Sequence, residues 1–397
     1  MTSISVRQST GMVTLFAFAA GLAVANIYYA QPLLSAIATE FRIGSGTATL
    51  IVTLTTIGYT AGLALLVPLG DMVSRRRLLV GLLLVVGVAQ AVSAVVPSFA
   101  FLAVLSVPLA VCAVGAPILV SFAATLASTS DRGQVTGRVM TGVLLGVLLA
   151  RTGGGLIAQV TGTWRSVYGV AAVLMVGLAV VLYRVLPEVA PIERIRYPAL
   201  LRSVFAVVRE EPALRLRCSY GFLCFASFSA FWTTLAFLLA QPPYSYGEGV
   251  IGLFGLAGAV GALAARPAGR LVDRNRERLT SGLLLGGIVL SWGVVAVQNG
   301  HSLAALLVGV LVLDLGVQGM QVTNLAVIYR TRPEARSRIT MAYMTTYFLG
   351  GVAGSAAAGA AYPVAGWLGV CAVGGGLAVL ALLIWGVEQV VQRGRTR

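Results

Sequence analysis

Apolar residues run along this chain in long blocks separated by short polar breaks. A helix needs about 20 apolar residues to cross the roughly 30 Å hydrocarbon core of a bilayer. Twelve blocks meet that length: 12–37, 46–69, 78–96, 99–127, 138–160, 166–186, 214–240, 248–266, 279–299, 302–329, 339–361 and 364–388. Their interiors are rich in glycine, which soluble helices avoid and close-packed membrane helices use. The pattern predicts an all-α integral membrane protein with twelve transmembrane helices.

The one long polar break is 187–213. It holds Pro187, Pro191 and Pro198 and then an amphipathic run, 199–211, whose apolar positions 200, 201, 204, 205, 207 and 208 suit a helix lying on the membrane face. The flanking halves repeat. Asp71 and Asp273, Trp164 and Trp367, and Gly146 and Gly350 pair at offsets of 202, 203 and 204 residues. The expected organisation is an N-terminal six-helix bundle (1–186), a cytoplasmic linker (187–213) and a C-terminal bundle (214–397). Parallel repeats of this kind place a substrate site between the bundles near the bilayer midplane.

Composition agrees with lipid as the main solvent: 58% of the 397 residues are hydrophobic and 10% charged, with a mean hydropathy of +0.92. A soluble domain has about 25% charged residues. The formal charge of +15 raises the question of nucleic acid. Every basic residue is arginine, however, and almost all fall in alternate breaks between blocks, not on one face. Arg42 and Arg165 lie in the other set of breaks, and Arg151 lies within a block. Positive loops remain cytoplasmic, so both termini are expected inside, in the plasma or inner membrane. A nucleic-acid stripe is absent. Cys112, Cys218, Cys224 and Cys371 sit in apolar blocks without paired spacing and read as packing residues. No metal motif occurs and His301 is the single histidine, so no metal and no cofactor is expected. The first block is too long for a signal peptide and reads as an uncleaved targeting helix.

The break after the second block reads Val67-Pro-Leu-Gly-Asp71-Met-Val-Ser-Arg75-Arg76, and the break after the eighth reads Gly269-Arg-Leu-Val-Asp273-Arg274. With the duplicated twelve-helix pattern, these segments make the chain similar to the major facilitator superfamily over essentially its whole length. The N-terminal copy keeps the acid and the basic pair of the family motif but loses the first Gly, the Arg and the second Gly. The resemblance implies a conformational latch at Asp71, Arg75, Arg76, Asp273 and Arg274; as a plain structural element, Asp71 would cap the third helix. Asn26-Ile-Tyr-Tyr-Ala-Gln-Pro-Leu-Leu34, Leu145-Gly-Val-Leu-Leu-Ala-Arg151 and Leu313-Asp314-Leu-Gly-Val-Gln318 are similar to a bacterial branch grouped with drug and metabolite exporters. The fourth-span arginine common in drug antiporters has no counterpart, since 99–127 holds no basic residue.

Two ionisable residues fall deep within blocks: Arg151 and Asp314. A charge at mid-membrane costs at least about 2.5 kcal/mol and faces a cavity or a partner. A guanidinium effectively never deprotonates, whereas a carboxyl gains and loses a proton. Asp314 is therefore the candidate for the coupling proton or a cationic substrate, and Arg151 for the fixed charge that holds or releases it. A direct Arg151–Asp314 pair across the cavity is one possible arrangement. By family analogy, Asn26, Tyr28, Tyr29, Gln31, Ser227, Trp232, Thr233, Gln318, Gln321 and Asn324 are cavity candidates; intramembrane Asn and Gln also bond helix to helix. Phe225, Phe228 and Phe231 read as lipid-facing or packing residues. The Gly142-to-Gly155 stretch is either a loose version of an antiporter motif or ordinary helix packing.

The expected function is secondary active transport by a monomer: proton-coupled efflux of a small organic or drug-like molecule by alternating access. The alternative is proton-coupled uptake of a small organic nutrient. An enzyme is not expected, because no catalytic constellation occurs.

Overall fold

The computed structural model describes residues 10–128, 131–189, 197–258, 276–332 and 335–395. Asp273 and Arg274 lie outside these residues, and the Asp71 side chain is likewise outside the description.

Among the described residues nine helices are long and apolar enough to cross a bilayer. The other spans are present in parts. Span 1 is α1 (Thr10–Ala25), a turn with a 3-10 segment at Gln31–Leu33, and α2 (Leu34–Phe41). Span 2 is α3 (Ser45–Ala48) with α4 (Leu50–Leu65), and the short α5 (Leu69–Met72) follows it. Span 3 is α6 (Arg75–Val95), and span 4 is α7 (Phe99–Cys112) with α8 (Gly115–Leu126). Spans 5 and 6 are α9 (Arg132–Thr161) and α10 (Arg165–Val185). The linker forms α11 (Tyr197–Glu210), and span 7 is α12 (Pro212–Ala240). The described part of span 8 is α13 (Glu248–Ala257); α14 (Glu277–Val295) and α15 (Leu303–Thr331) are spans 9 and 10. The last element, α16 (Arg336–Arg395), runs 60 residues and breaks at Gly366, where φ is 56° and ψ −149°. Only glycine adopts that backbone without strain, so the chain reverses there and supplies spans 11 and 12. The described elements fall within the expected blocks to within a few residues at most ends; α9 starts six residues earlier than the apolar block, and of span 8 only Glu248–Ala257 is described as helix.

Glycine sets how closely the spans approach. A Cβ on Gly146 would come 2.2 Å from the Gly21 carbonyl oxygen, so spans 5 and 1 touch backbone to backbone. The same crossing recurs in the second half, where a Cβ on Gly350 would meet the Phe222 carbonyl oxygen at 2.1 Å, between spans 11 and 7. Duplication of the sequence is thus duplication of packing. Large apolar side chains such as Val88, Val160, Leu290 and Val364 are exposed around the outside, as a lipid-facing belt requires. Span 7 differs: 94% of its most apolar window is buried, against 61% or less for the other candidate spans. It is a central helix, not a lipid-facing one.

Among the described residues the halves meet mainly along two seams. Span 2 packs on span 11, and span 5 on span 8. The Thr53 and Ser355 hydroxyls hydrogen-bond at 2.9 Å in the first seam. In the second, Thr152 Oγ1 donates to the Gly252 carbonyl at 3.0 Å, and a Cβ on Gly155 would lie 2.2 Å from the Glu248 carbonyl oxygen. These contacts all lie on the side of the bilayer opposite the N-terminus. On the N-terminal side, α11 ties both halves. Tyr197 Oη donates to the Leu65 carbonyl at 2.8 Å, and Arg332 pairs with Glu210 at 2.8 Å and Glu211 at 2.6 Å.

Candidate functional site

Span 1 breaks where the site begins. Pro32 lacks the N–H that would continue the helix, and residues 26–33 pass through turns and one 3-10 segment instead. That break directs Tyr28 and Gln31 toward the centre. Discontinuous spans of this kind characterise transporter binding sites.

Arg151 projects from span 5, ten residues before its end at Thr161, and Asp314 from span 10, eleven residues after its start at Leu303. At 1.5 Å per residue both lie roughly 15 Å from the same side. Both are buried, with 3% and 2% exposure. They do not form a direct ion pair. Trp232 of span 7 stands between them. The guanidinium lies over its ring, 3.9 Å from the centroid, and the indole Nε1–H donates to Asp314 Oδ1 at 3.3 Å. On the other side Arg151 Nε donates to Gln31 Oε1 at 2.6 Å. The result is a continuous chain, Gln31–Arg151–Trp232–Asp314. Its first two members come from the N-terminal half and its last two from the C-terminal half. A direct pair would have balanced the two charges; here the indole face and its N–H carry the interaction.

Two small residues of span 8 make room for this arrangement. A Cβ on Gly255 would come 2.9 Å from Arg151 Cβ, and one on Gly258 would come 2.7 Å from Asp314 Oδ2.

Beside the bridge is a small pocket. Ile27, Tyr28, Gln31, Thr56 and Tyr59 line it from the first half, and Phe225, Phe228, Ser229 and Phe348 from the second. Of the expected cavity residues, Tyr28 and Gln31 are in its wall and Trp232 is in the bridge behind it. Phe225 and Phe228, read as lipid-facing or packing, are buried and pack, Phe225 stacking on Phe228 and on Tyr347, and both also line the pocket. Tyr59 and Phe348 were not singled out by sequence. Their rings meet at 4.8 Å across the two halves.

The remaining polar candidates serve other contacts. Asn26 donates to the Leu22 and Ala23 carbonyls and to Met175 Sδ, and accepts from Gln90 Nε2 at 3.0 Å, which joins spans 1, 3 and 6. It lines a second small pocket inside the first half with Thr55, Ser93, Ser106 and Tyr168. Asn324 donates to Tyr343 Oη at 3.2 Å, span 10 to span 11. Ser227 accepts from Trp292 Nε1 at 2.6 Å and donates to the Gly374 carbonyl at 3.0 Å. Gln321 approaches Met344 Sδ at 3.7 Å. Tyr29 and Thr233 are buried and Gln318 half-buried, all outside the wall of the main pocket. The glycine-rich stretch of span 5 divides: Gly142 and Gly146 pack on span 1, and Gly155 forms the seam with span 8.

At the N-terminal side, Arg75 is buried beneath the turn after span 2. Its Nε donates to the Gly70 carbonyl at 2.9 Å and its Nη1 to Thr125 Oγ1 at 2.6 Å. Arg76 lies over Tyr183, 4.7 Å from the ring centroid, and donates to the Leu186 carbonyl. Arg75 thus pins the turn to span 4, and Arg76 pins it to span 6. On the opposite side Arg165 donates twice to Glu40, at 2.8 and 3.0 Å, and Trp164 Nε1 donates to the same carboxylate. The four cysteines are free, and no group of metal-ligating residues occurs among the described residues.

Fold and site together define a multi-pass membrane transporter. The sequence is 48% identical to the uncharacterised transporter YgaY of Escherichia coli O157:H7, over 97% of each chain. It is 33% identical to the probable transporter SCO4007 of Streptomyces coelicolor, over 92% of this chain and 85% of that one. Among solved structures, a bacterial homologue of the human lysosomal transporter Spinster, inward-facing and occupied, superposes with a TM-score of 0.78 at 13% identity over 97% of each chain. The nucleoside transporter NupG superposes with a TM-score of 0.74 at 12% identity, over 94% of this chain and 98% of that one. The Major Facilitator Superfamily model matches residues 16–355, and the chain belongs to that family.

Proposed function

We propose that this protein is a proton-coupled secondary transporter that moves a small organic molecule by alternating access, with Asp314 as the proton site and Arg151 as the fixed charge it answers. One observation carries the reading: a buried cation and a buried carboxylate at one depth, joined through Trp232 across the interface of the halves. Rocking the halves apart must break the stack of Arg151 on Trp232. Protonation of Asp314 removes its charge and weakens its hold on the indole N–H, so proton binding and conformation are linked. The seams closed opposite the N-terminus fit one end state of that cycle.

The aromatic, largely apolar pocket supports export of a drug-like or metabolic compound. Uptake is the second reading, and the bridge favours it: a proton on Asp314 uncovers Arg151 for a substrate instead of competing with it. The protein works as a monomer in the inner membrane with both termini cytoplasmic. Arg75 and Arg76, with Asp71, Asp273 and Arg274, act as latches on that side.

The test is proton movement in sealed vesicles, read with an internal pH dye while a panel of organic solutes is added. Asp314→Asn is expected to abolish solute-driven pH change while retaining wild-type expression and melting. Unchanged proton movement in the variant would remove Asp314 from the mechanism.

A further inference from the structure

The pocket and the bridge together select a ligand by charge. We propose that the central pocket binds a small aromatic carboxylate, with its ring among Tyr28, Tyr59, Phe225 and Phe348 and its carboxylate on Arg151 and Gln31. This deepens the second, uptake reading given above and rests on it for the role of Asp314.

The walls favour a flat ring. Phe225 stacks on Tyr347 at 4.1 Å and 22° and on Phe228 at 5.5 Å and 15°, so a further ring extends an existing stack. In this structure the pocket has room for little more than a water, so a ring enters it only in a state where the two halves stand further apart.

The polar groups favour an anion. No carboxylate lines the pocket. The Thr56 hydroxyl is engaged by the Val52 carbonyl at 2.7 Å. The Gln31 carbonyl oxygen is occupied by Arg151, so Gln31 presents its amide N–H groups. Behind the wall lies the guanidinium of Arg151, 4.9 Å from the Tyr28 ring centroid and 5.9 Å from that of Phe228. Its Nη2 is buried with no hydrogen-bond partner. An unpaired buried donor on a charged group is costly, and an acceptor that reaches it gains correspondingly.

An aromatic cage alone would suit an organic cation. Here the fixed guanidinium repels one, and Asp314 lies beyond the Trp232 indole. A carboxylate held by the Gln31 amide would sit next to the guanidinium that Gln31 accepts from, and reaching Nη2 as well would supply the acceptor it lacks. Its affinity rises when Asp314 is protonated, because the ionised carboxylate both balances Arg151 and holds the indole over it.

The experiment uses the purified full chain and three ligands that share a ring and differ in charge: benzoate, benzamide and benzylamine. Binding is read by calorimetry and by the rise in melting temperature. Benzoate is expected to bind at least about tenfold tighter than benzamide, the worth of one charge-assisted hydrogen bond, and benzylamine not to bind. Arg151→Gln should erase the preference for benzoate. Gln31→Glu keeps the guanidinium but neutralises it from within the pocket, and should also lose benzoate; melting of each variant alone checks that it folds. Wild type should bind benzoate more tightly as the pH is lowered, and Asp314→Asn should lose that dependence. Benzylamine binding as tightly as benzoate, or a folded variant of Arg151 or Gln31 that keeps the preference, would overturn the proposal. If benzoate binds through Arg151 yet moves no protons in vesicles, the carboxylate site stands and proton coupling falls. If protons move with amines and not acids, the coupling stands and the carboxylate site falls.

Discussion

Replacing Trp232 by phenylalanine separates the two contacts its indole makes. The ring still covers Arg151, but the N–H to Asp314 is gone. Hydrogen bonds to charged groups contribute about 1.5–3 kcal/mol, so Trp232→Phe should shift the pH profile of transport while leaving the protein folded; an unaltered profile would show that the N–H does not link proton to conformation. Asn324→Ala addresses the opposite case. Its amide joins span 10 to span 11, so the variant should lose about 1 kcal/mol of stability with unchanged substrate affinity in a binding titration. The contrast explains what the sequence made legible. Gln31, Arg151 and Asp314 stood out because polar groups inside lipid need a reason. The same argument could not tell Gln31, which faces the pocket, from Asn26 and Asn324, which bond helix to helix. Phe225, Phe228, Tyr59 and Phe348 were illegible for the converse reason: an aromatic ring is equally at home against lipid, a neighbouring helix or a substrate.

Element boundaries followed from apolar length, and where they did not, backbone chemistry decided. Pro32 divides span 1 and Gly366 separates spans 11 and 12; block length alone showed the second break and missed the first. The amphipathic linker was readable from its apolar spacing and forms α11 at Tyr197–Glu210. The seams between spans 2 and 11 and between spans 5 and 8 were not readable, since helix order in space is not written in local pattern. They are testable as hinges. Thr53 and Ser355 hydroxyls are 2.9 Å apart across the first seam, so Thr53→Cys combined with Ser355→Cys should cross-link on oxidation and stop transport, and a reductant should restore it. Transport that continues through the cross-linked form would show that this seam need not open.

For the molecule as a whole, the proposed orientation rests on the arginines. Arg75, Arg76, Arg77, Arg132, Arg184, Arg332 and Arg336 all lie on the side of the N-terminus, and Arg42 and Arg165 on the other. Reporter fusions at the two termini should therefore read as cytoplasmic, and an insertion after Ile43 as external; the reverse result would invert every directional statement about the cycle. The duplication was legible at this scale because the offsets between paired landmarks agree within two residues, and the glycine crossings at Gly146 and Gly350 give those offsets a packing basis. Trp232 and Arg151 also belong to different halves, so the proposed alternating-access cycle alters their separation at each turnover. With Trp164, Trp292, Trp367 and Trp385 replaced by phenylalanine, the emission of the remaining indole would become a gauge of the working cycle, recorded in real time without an attached dye.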